Sequence, residues 1–188
     1  MLLKDHKDLK AAITALPAKE KDKLLLRLIA KDKVLTEHLH FKLLEGEADL
    51  EGRYLSLSEE IDDAIAVLLA IRKGSSKDAL LVMRRLNGRV NHHYKVTKDL
   101  NTEIDLRLHL LNSMPIAYNE SVFSPLAKYN DRLKAYFVRT TLALYKKYEK
   151  MHEDLQFDLK APFNKLLHKL AENKLENAAL ELGLPEEL

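Results

Sequence analysis

Cysteine is absent from the chain, which excludes a disulfide framework, a thiolate-held metal and a cysteine nucleophile. Tryptophan is absent too, and aromatic residues make up only 6%. Glycine and proline number five each, too few for collagen, for low-complexity chains or for most turn-rich β-folds. Long apolar runs are missing: the longest, Ala64 to Ile71, has eight residues, against the ~20 that span a bilayer. The opening Met1-Leu2-Leu3-Lys4-Asp5-His6 lacks the apolar stretch of a secretory signal. A cytoplasmic protein with no membrane partner is the expectation. An excess of one charge is missing as well. Lys and Arg number 31 and Asp and Glu 29, so the total makes no argument for a polyanionic partner.

What remains is a chain of 188 residues, 46% hydrophobic and 32% charged, too apolar for disorder and long enough for one core. Its few glycines and prolines sit at the ends of apolar-periodic stretches. Pro17, Pro125 and Pro162 stand where helices start, a position that tolerates the missing N–H. Gly46, Gly74 and Gly183 follow such stretches, as left-handed helix caps do. Between these marks apolar residues recur at three and four, with no strand alternation. The expected class is all-α with about seven to nine helices, either a stack of helical hairpins or an irregular bundle. The chain reads as one domain over 1–188, with a sub-boundary at a loop over 46–57 that contains Gly52.

Ser56 and Glu59 have the spacing of a capping box opening the next helix, and Ser75 with Asp78 offers a weaker cap. The stretch 77–112 fits one long helix through Gly88 or two, the second capped from Thr97 or Asp99. Pro115 ends it in either case. Leu126, Tyr129, Leu133, Tyr136, Phe137, Leu144, Tyr148 and Met151 then keep helical spacing for about seven turns. So long an apolar stripe leaves a homo-oligomer open.

The helix pair over 18–45 and the pair beginning at 59 are offset by about 42 residues, a period of helical-hairpin solenoids. The segment Leu24-Leu25-Leu26-Arg27-Leu28-Ile29-Ala30-Lys31-Asp32, with its Asp at the bend, resembles a unit of the HEAT or armadillo type. The resemblance covers 17–45, and 59–90 less well. It implies a curved helical surface that binds protein or nucleic acid.

Catalytic motifs are lacking. No nucleophile elbow, phosphate-binding loop or dinucleotide fingerprint is present. Lys73-Gly74-Ser75 carries a fragment of a phosphate loop without its upstream glycine. Among eight histidines, the Glu-x-x-His spacing occurs as Glu37 with His40 and Glu149 with His152. Two such pairs plus lone glutamates, here Glu60 and Glu103, make the di-metal carboxylate site of ferritin-like bundles. On helices, however, both pairs fall on lysine-rich faces rather than on the apolar rows. The reading is therefore no catalytic residue, no cofactor and no metal, with the di-metal enzyme as an alternative.

Charge is polarised along the chain. Residues 45–63 hold eight acids against Arg53, and residues 72–98 eight bases against Asp78. If 77–98 is helical, Arg84, Arg85, Arg89, His92 and Lys95 form a basic flank. Such a strip meets an acidic partner helix or phosphates, or pairs internally with the acidic segment. The favoured expectation is a non-catalytic interaction or scaffold module for a protein partner, with nucleic acid as the alternative. The tyrosines of the long helix fit a core edge better than a base-stacking platform.

Overall fold

Helix periodicity with few breakers leads to nine α-helices and no strand among the described residues, of which 79% are helical. A computed structural model describes residues 3–71, 74–118, 120–121 and 123–188. The chain divides after Gly46 into two units. The N-terminal unit holds α1 (Lys7–Ala15), α2 (Ala18–Ile29) and α3 (Lys33–Leu44). Asp32 caps α3 by accepting from the Leu35 N–H at 3.0 Å. No described residue of this unit is buried.

The C-terminal unit holds α4 (Glu47–Ala70), α5 (Ser76–Thr97), α6 (Leu100–Ser113), α7 (Ala127–Tyr148), α8 (Glu153–Glu172) and α9 (Glu176–Glu181). Its main core gathers Met83, Ile104, Leu108, Leu133, Phe137, Phe163 and their neighbours from α5 to α9. A second cluster joins Leu57, Ile61 and Ile65 of α4 to Leu86 and Val90 of α5 and to Leu106 and Leu110 of α6. The apolar stripe of α7 is consumed here: Leu133, Phe137, Leu144 and Tyr148 are all buried. It leaves no surplus to argue for a second copy. No helix among the described residues is long and apolar enough to cross a membrane.

Several helix ends differ from the sequence expectation. The loop expected over 46–57 is instead the start of α4, so Ser56 and Glu59 lie within a helix and cap nothing. Gly52 stands inside α4 with open space where a Cβ would be, so the glycine marks no turn. Gly46 is not left-handed. Positive φ occurs at Lys98 (58°), Lys174 (57°) and Gly183 (91°). Pro162 lies inside α8 rather than at its start. Its missing N–H leaves the carbonyl of Asp158, four residues earlier, without its helical donor, and Asp158 is exposed. Pro125 precedes α7 by two residues, with the Ser124 hydroxyl accepting from the Leu126 N–H.

The stretch 77–112 is two helices. The left-handed Lys98 ends α5, and the Asp99 carboxylate accepts from the Thr102 N–H at 2.8 Å to open α6. Ser75 caps α5 as the spacing indicated, accepting from the Asp78 N–H.

Candidate functional site

Antiparallel packing of α5 on α6, and of α6 on α7, sets α5 and α7 side by side in parallel, and contacts between them step in register. Lys77 lies over the Tyr129 ring at 5.8 Å, Arg84 over Tyr136 at 5.4 Å, and Lys147 over Tyr94 at 4.9 Å. Lys128 and Arg132 also approach Tyr129, at 5.3 and 5.8 Å. A guanidinium or ammonium over an aromatic face is held by the ring quadrupole, worth about 0.5–1 kcal/mol at exposed sites. Alternating cations and tyrosines thus line the seam for the length of two 22-residue helices, about 33 Å at 1.5 Å per residue.

The two helices carry eleven Lys and Arg against Asp78 and Asp131. Among the described residues no carboxylate pairs with Lys77, Arg84, Lys128 or Arg132. Two acids near the N-terminal end of α5 are already hydrogen-bonded. Glu120 receives the N–H and hydroxyl of Ser76 at 2.9 and 2.7 Å, and the Asp78 carboxylate receives the Ser75 hydroxyl at 2.6 Å.

Beneath the seam runs a polar chain centred on the buried Glu103 and Arg107. The Asn87 amide donates to the Tyr136 hydroxyl at 2.7 Å, and Arg107 donates to Asn87, to Asn91 at 2.9 Å and to Glu103 at 2.6 Å. Glu103 is fully buried and also takes the Lys147 ammonium, at 2.6 Å to Oε2. Tyr136 and Lys147, which face the seam, are therefore tied together through Asn87, Arg107 and Glu103. Arg107 Nε is buried with no hydrogen-bond partner. This network fixes the rotamers of two seam residues.

The five expected basic residues are not one surface. Arg84 belongs to the seam. Arg89 donates through Nε to Glu60 of α4 at 2.9 Å, the internal pairing weighed from the sequence. Arg85 lines a groove on the α4 side. Lys95 is exposed and His92 half-buried. Arg72 and Lys73, counted in the basic block, lie outside the described residues.

The di-metal alternative does not assemble as the spacing suggested. Glu149 is the C-cap of α7, whereas His152 is the N-cap of α8, accepting from the Asp154 N–H at 3.4 Å. The pair therefore shares no helix face. His40 pairs with Glu45 at 2.8 Å, Glu60 with Arg89 and Glu103 with Arg107. Among the described residues no three His, Asp or Glu converge on a metal position.

Two further groups are perturbed. Burial, with Lys165 second, lowers the Lys169 ammonium to about 8. Its three donors nonetheless meet the carbonyls of Leu111, Asn112 and Met114 at 2.9, 2.7 and 2.6 Å. That cradle and the negative end of α6 favour the charged form. Burial lowers His93 below 6.5, against a smaller opposing effect of Asp99; its Nε2 meets the Thr102 hydroxyl at 2.9 Å.

A depressed histidine destabilises the fold in acid. Below about pH 6.5 the unfolded chain takes up a proton that the folded site refuses, so stability falls as pH drops from 6.5 toward the lowered native value. We expect urea midpoints to decline between pH 7.5 and 5.5, and to decline less in His93→Gln. Equal declines in both proteins would remove His93 as the cause.

Sequence reasoning missed the buried network. The signal was present in α6, where the buried Leu106, Leu108, Leu110 and Leu111 cover an arc of roughly 200° at 3.6 residues per turn, and Glu103 and Arg107, four apart, fall inside that arc. Asp105 and His109 take the opposite, partly exposed face. Comparison with protein-family models, with curated proteins and with solved structures finds no match for this chain.

Proposed function

We propose that the protein is a non-catalytic, cytoplasmic interaction module that grips a short acidic segment of a partner protein along the α5–α7 seam. The observation that carries this reading is the row of cations braced on tyrosines, Lys77·Tyr129, Arg84·Tyr136 and Lys147·Tyr94, with few acids beside it. Tyrosine and arginine on a pre-organised surface are the residue types that dominate interface energetics.

A protein segment suits this surface better than a nucleic acid does. The first 46 residues hold ten bases and seven acids of the chain's 31 and 29, leaving 21 against 22 for the C-terminal unit. A long polyanion leaving the seam meets the acidic α4 or the acid-rich end of the chain, whereas a short segment does not. The tyrosines are also half-buried under their cations, which withholds their faces from base stacking.

The test is fluorescence anisotropy of the full chain with a labelled 15-residue Glu/Asp-rich peptide and with single- and double-stranded nucleic acid. The peptide is expected to bind at 50 mM salt and to lose roughly tenfold in affinity with Arg84→Glu plus Arg132→Glu, a change of rim charge to the repelling sign. Absence of peptide binding would sink the proposal. So would tighter nucleic-acid binding with a steep salt slope, since that slope counts displaced counterions.

A further inference from the structure

We propose that the groove between α4 and α5 is a second docking site, which seats an amphipathic helix of a partner protein bearing basic residues beside its apolar stripe. This site is separate from the seam and does not depend on it. The groove is open to solvent and has a volume of about 790 Å³.

Its floor is apolar. Ala64 and Val67 of α4, with Ile71 just past its end, line it together with Leu81 and Val82 of α5. Val67 is 66% exposed and Leu81 56%. The buried row of α4, Leu57, Ile61, Ile65 and Leu68, serves the core with Ala64 and Val82 partly buried against it, and Val67 and Leu81 are left exposed beside it. An apolar trough between two adjacent helices is what a third helix packs into.

Charge decides the occupant. Glu59 and Asp63, one turn apart on the rim, pair with no cation among the described residues. Their neighbours are engaged: Glu60 holds Arg89 at 2.9 Å, and Asp62 holds His109 at 2.7 Å. Residues 47–63 of α4 carry seven acids against Arg53. Among the described lining residues Glu59, Glu60, Asp63 and Asp78 stand against Arg85, a net negative surround that favours Lys or Arg on the incoming helix. From Ser56 to Ile71 the groove follows α4 for 15 residues, so an occupant of about four turns fits its length.

The test uses two synthetic 15-residue helical peptides with the same leucine stripe, flanked by Lys in one and by Glu in the other. Each is titrated into the full chain, labelled with nitrogen-15, and followed by amide shifts and by anisotropy. The Lys-flanked peptide is expected to saturate, with shifts centred on Ala64, Val67 and Leu81, and the Glu-flanked one to bind at least roughly tenfold more weakly. Val67→Lys is expected to abolish the binding. Glu59→Lys plus Asp63→Lys is expected to reverse the preference, which a merely misfolded variant does not do. No saturation by 1 mM peptide overturns the proposal, as do equal binding of the two peptides, or shifts confined to other surfaces. A groove already occupied without peptide, revealed by a doubled solution mass, overturns it in favour of a second copy of this chain.

Discussion

Glu103→Ala is expected to lower the free energy of unfolding by about 3–5 kcal/mol, the scale set by removing one partner from a buried ion pair. The Glu103 carboxylate is fully buried and lies between Arg107, whose side chain is 6% exposed, and Lys147. Truncation leaves the Arg107 guanidinium enclosed among leucines with only Asn87 and Asn91 as acceptors, while its Nε already has none. Lys147 escapes this penalty by turning to solvent, because its side chain is 36% exposed. The cost therefore falls mainly on Arg107. Replacing the three together, Glu103→Leu with Arg107→Leu and Lys147→Met, is expected to recover most of the loss, since a well-packed apolar set replaces a buried ionic one at little net cost. Urea unfolding measures both. A single variant within about 1 kcal/mol of the parent would show that Glu103 is not enclosed as described. Because Glu103 also steadies Lys147, the single variant should weaken acidic-peptide binding even where the fold survives.

Phe163→Ala is the second large effect. The ring has no exposed surface, and it packs edge-on against Tyr145 at 5.9 Å and tilted against Tyr148 at 5.1 Å. Removing a buried phenylalanine costs about 3–5 kcal/mol, combining lost transfer energy with the cavity left behind. In a domain of this size each kcal/mol moves the melting temperature by about 2–4 °C, so a fall of roughly 10 °C is expected by circular dichroism. Phe157, on the same helix but 78% exposed, supplies the control. Phe157→Ala should stay within about 0.5 kcal/mol of the parent. Similar losses in the two variants would contradict the packing of α8.

Class and helix number were legible because they rest on spacing alone, and the three-four recurrence in α5 and α7 is unbroken. Helix ends were legible where a side chain does the capping, as at Ser75 and Asp99. They were not legible where the breaker residue is tolerated. Pro162 passes unnoticed through α8 because the residue whose carbonyl it strands, Asp158, is exposed. Gly52 sits in α4 at only about 1 kcal/mol of helix propensity, well within what the α4 packing offsets. Lys98 takes the left-handed turn that a glycine usually supplies, and no spacing rule reports it.

The candidate surface was half legible. The basic block of α5 stands out in the sequence, but its partition does not: which arginine turns to α4 and which to α7 depends on the rotation of α5 between two neighbours. Arg89 finds Glu60 and Arg84 finds Tyr136 through contacts 29 and 52 residues away in the chain, a separation that helical periodicity cannot address.

The parallel run of α5 and α7 has a consequence for how the surface comes into being. Parallel neighbours cannot be joined by a tight turn, so the chain must travel back along α6 before α7 can lie beside α5. Each cation–tyrosine step of the seam spans about fifty residues, and closing such a loop is entropically unfavourable until other contacts hold its ends. Those contacts are the buried ones from α6: Arg107 to Asn87 and Asn91 on one side, Glu103 to Lys147 on the other. The seam therefore appears only with the assembled three-helix unit. A peptide copying α5 alone keeps the charges and loses the rings beside them. In the cell, occupancy of the seam would report the folded fraction of the protein as directly as a melting curve does.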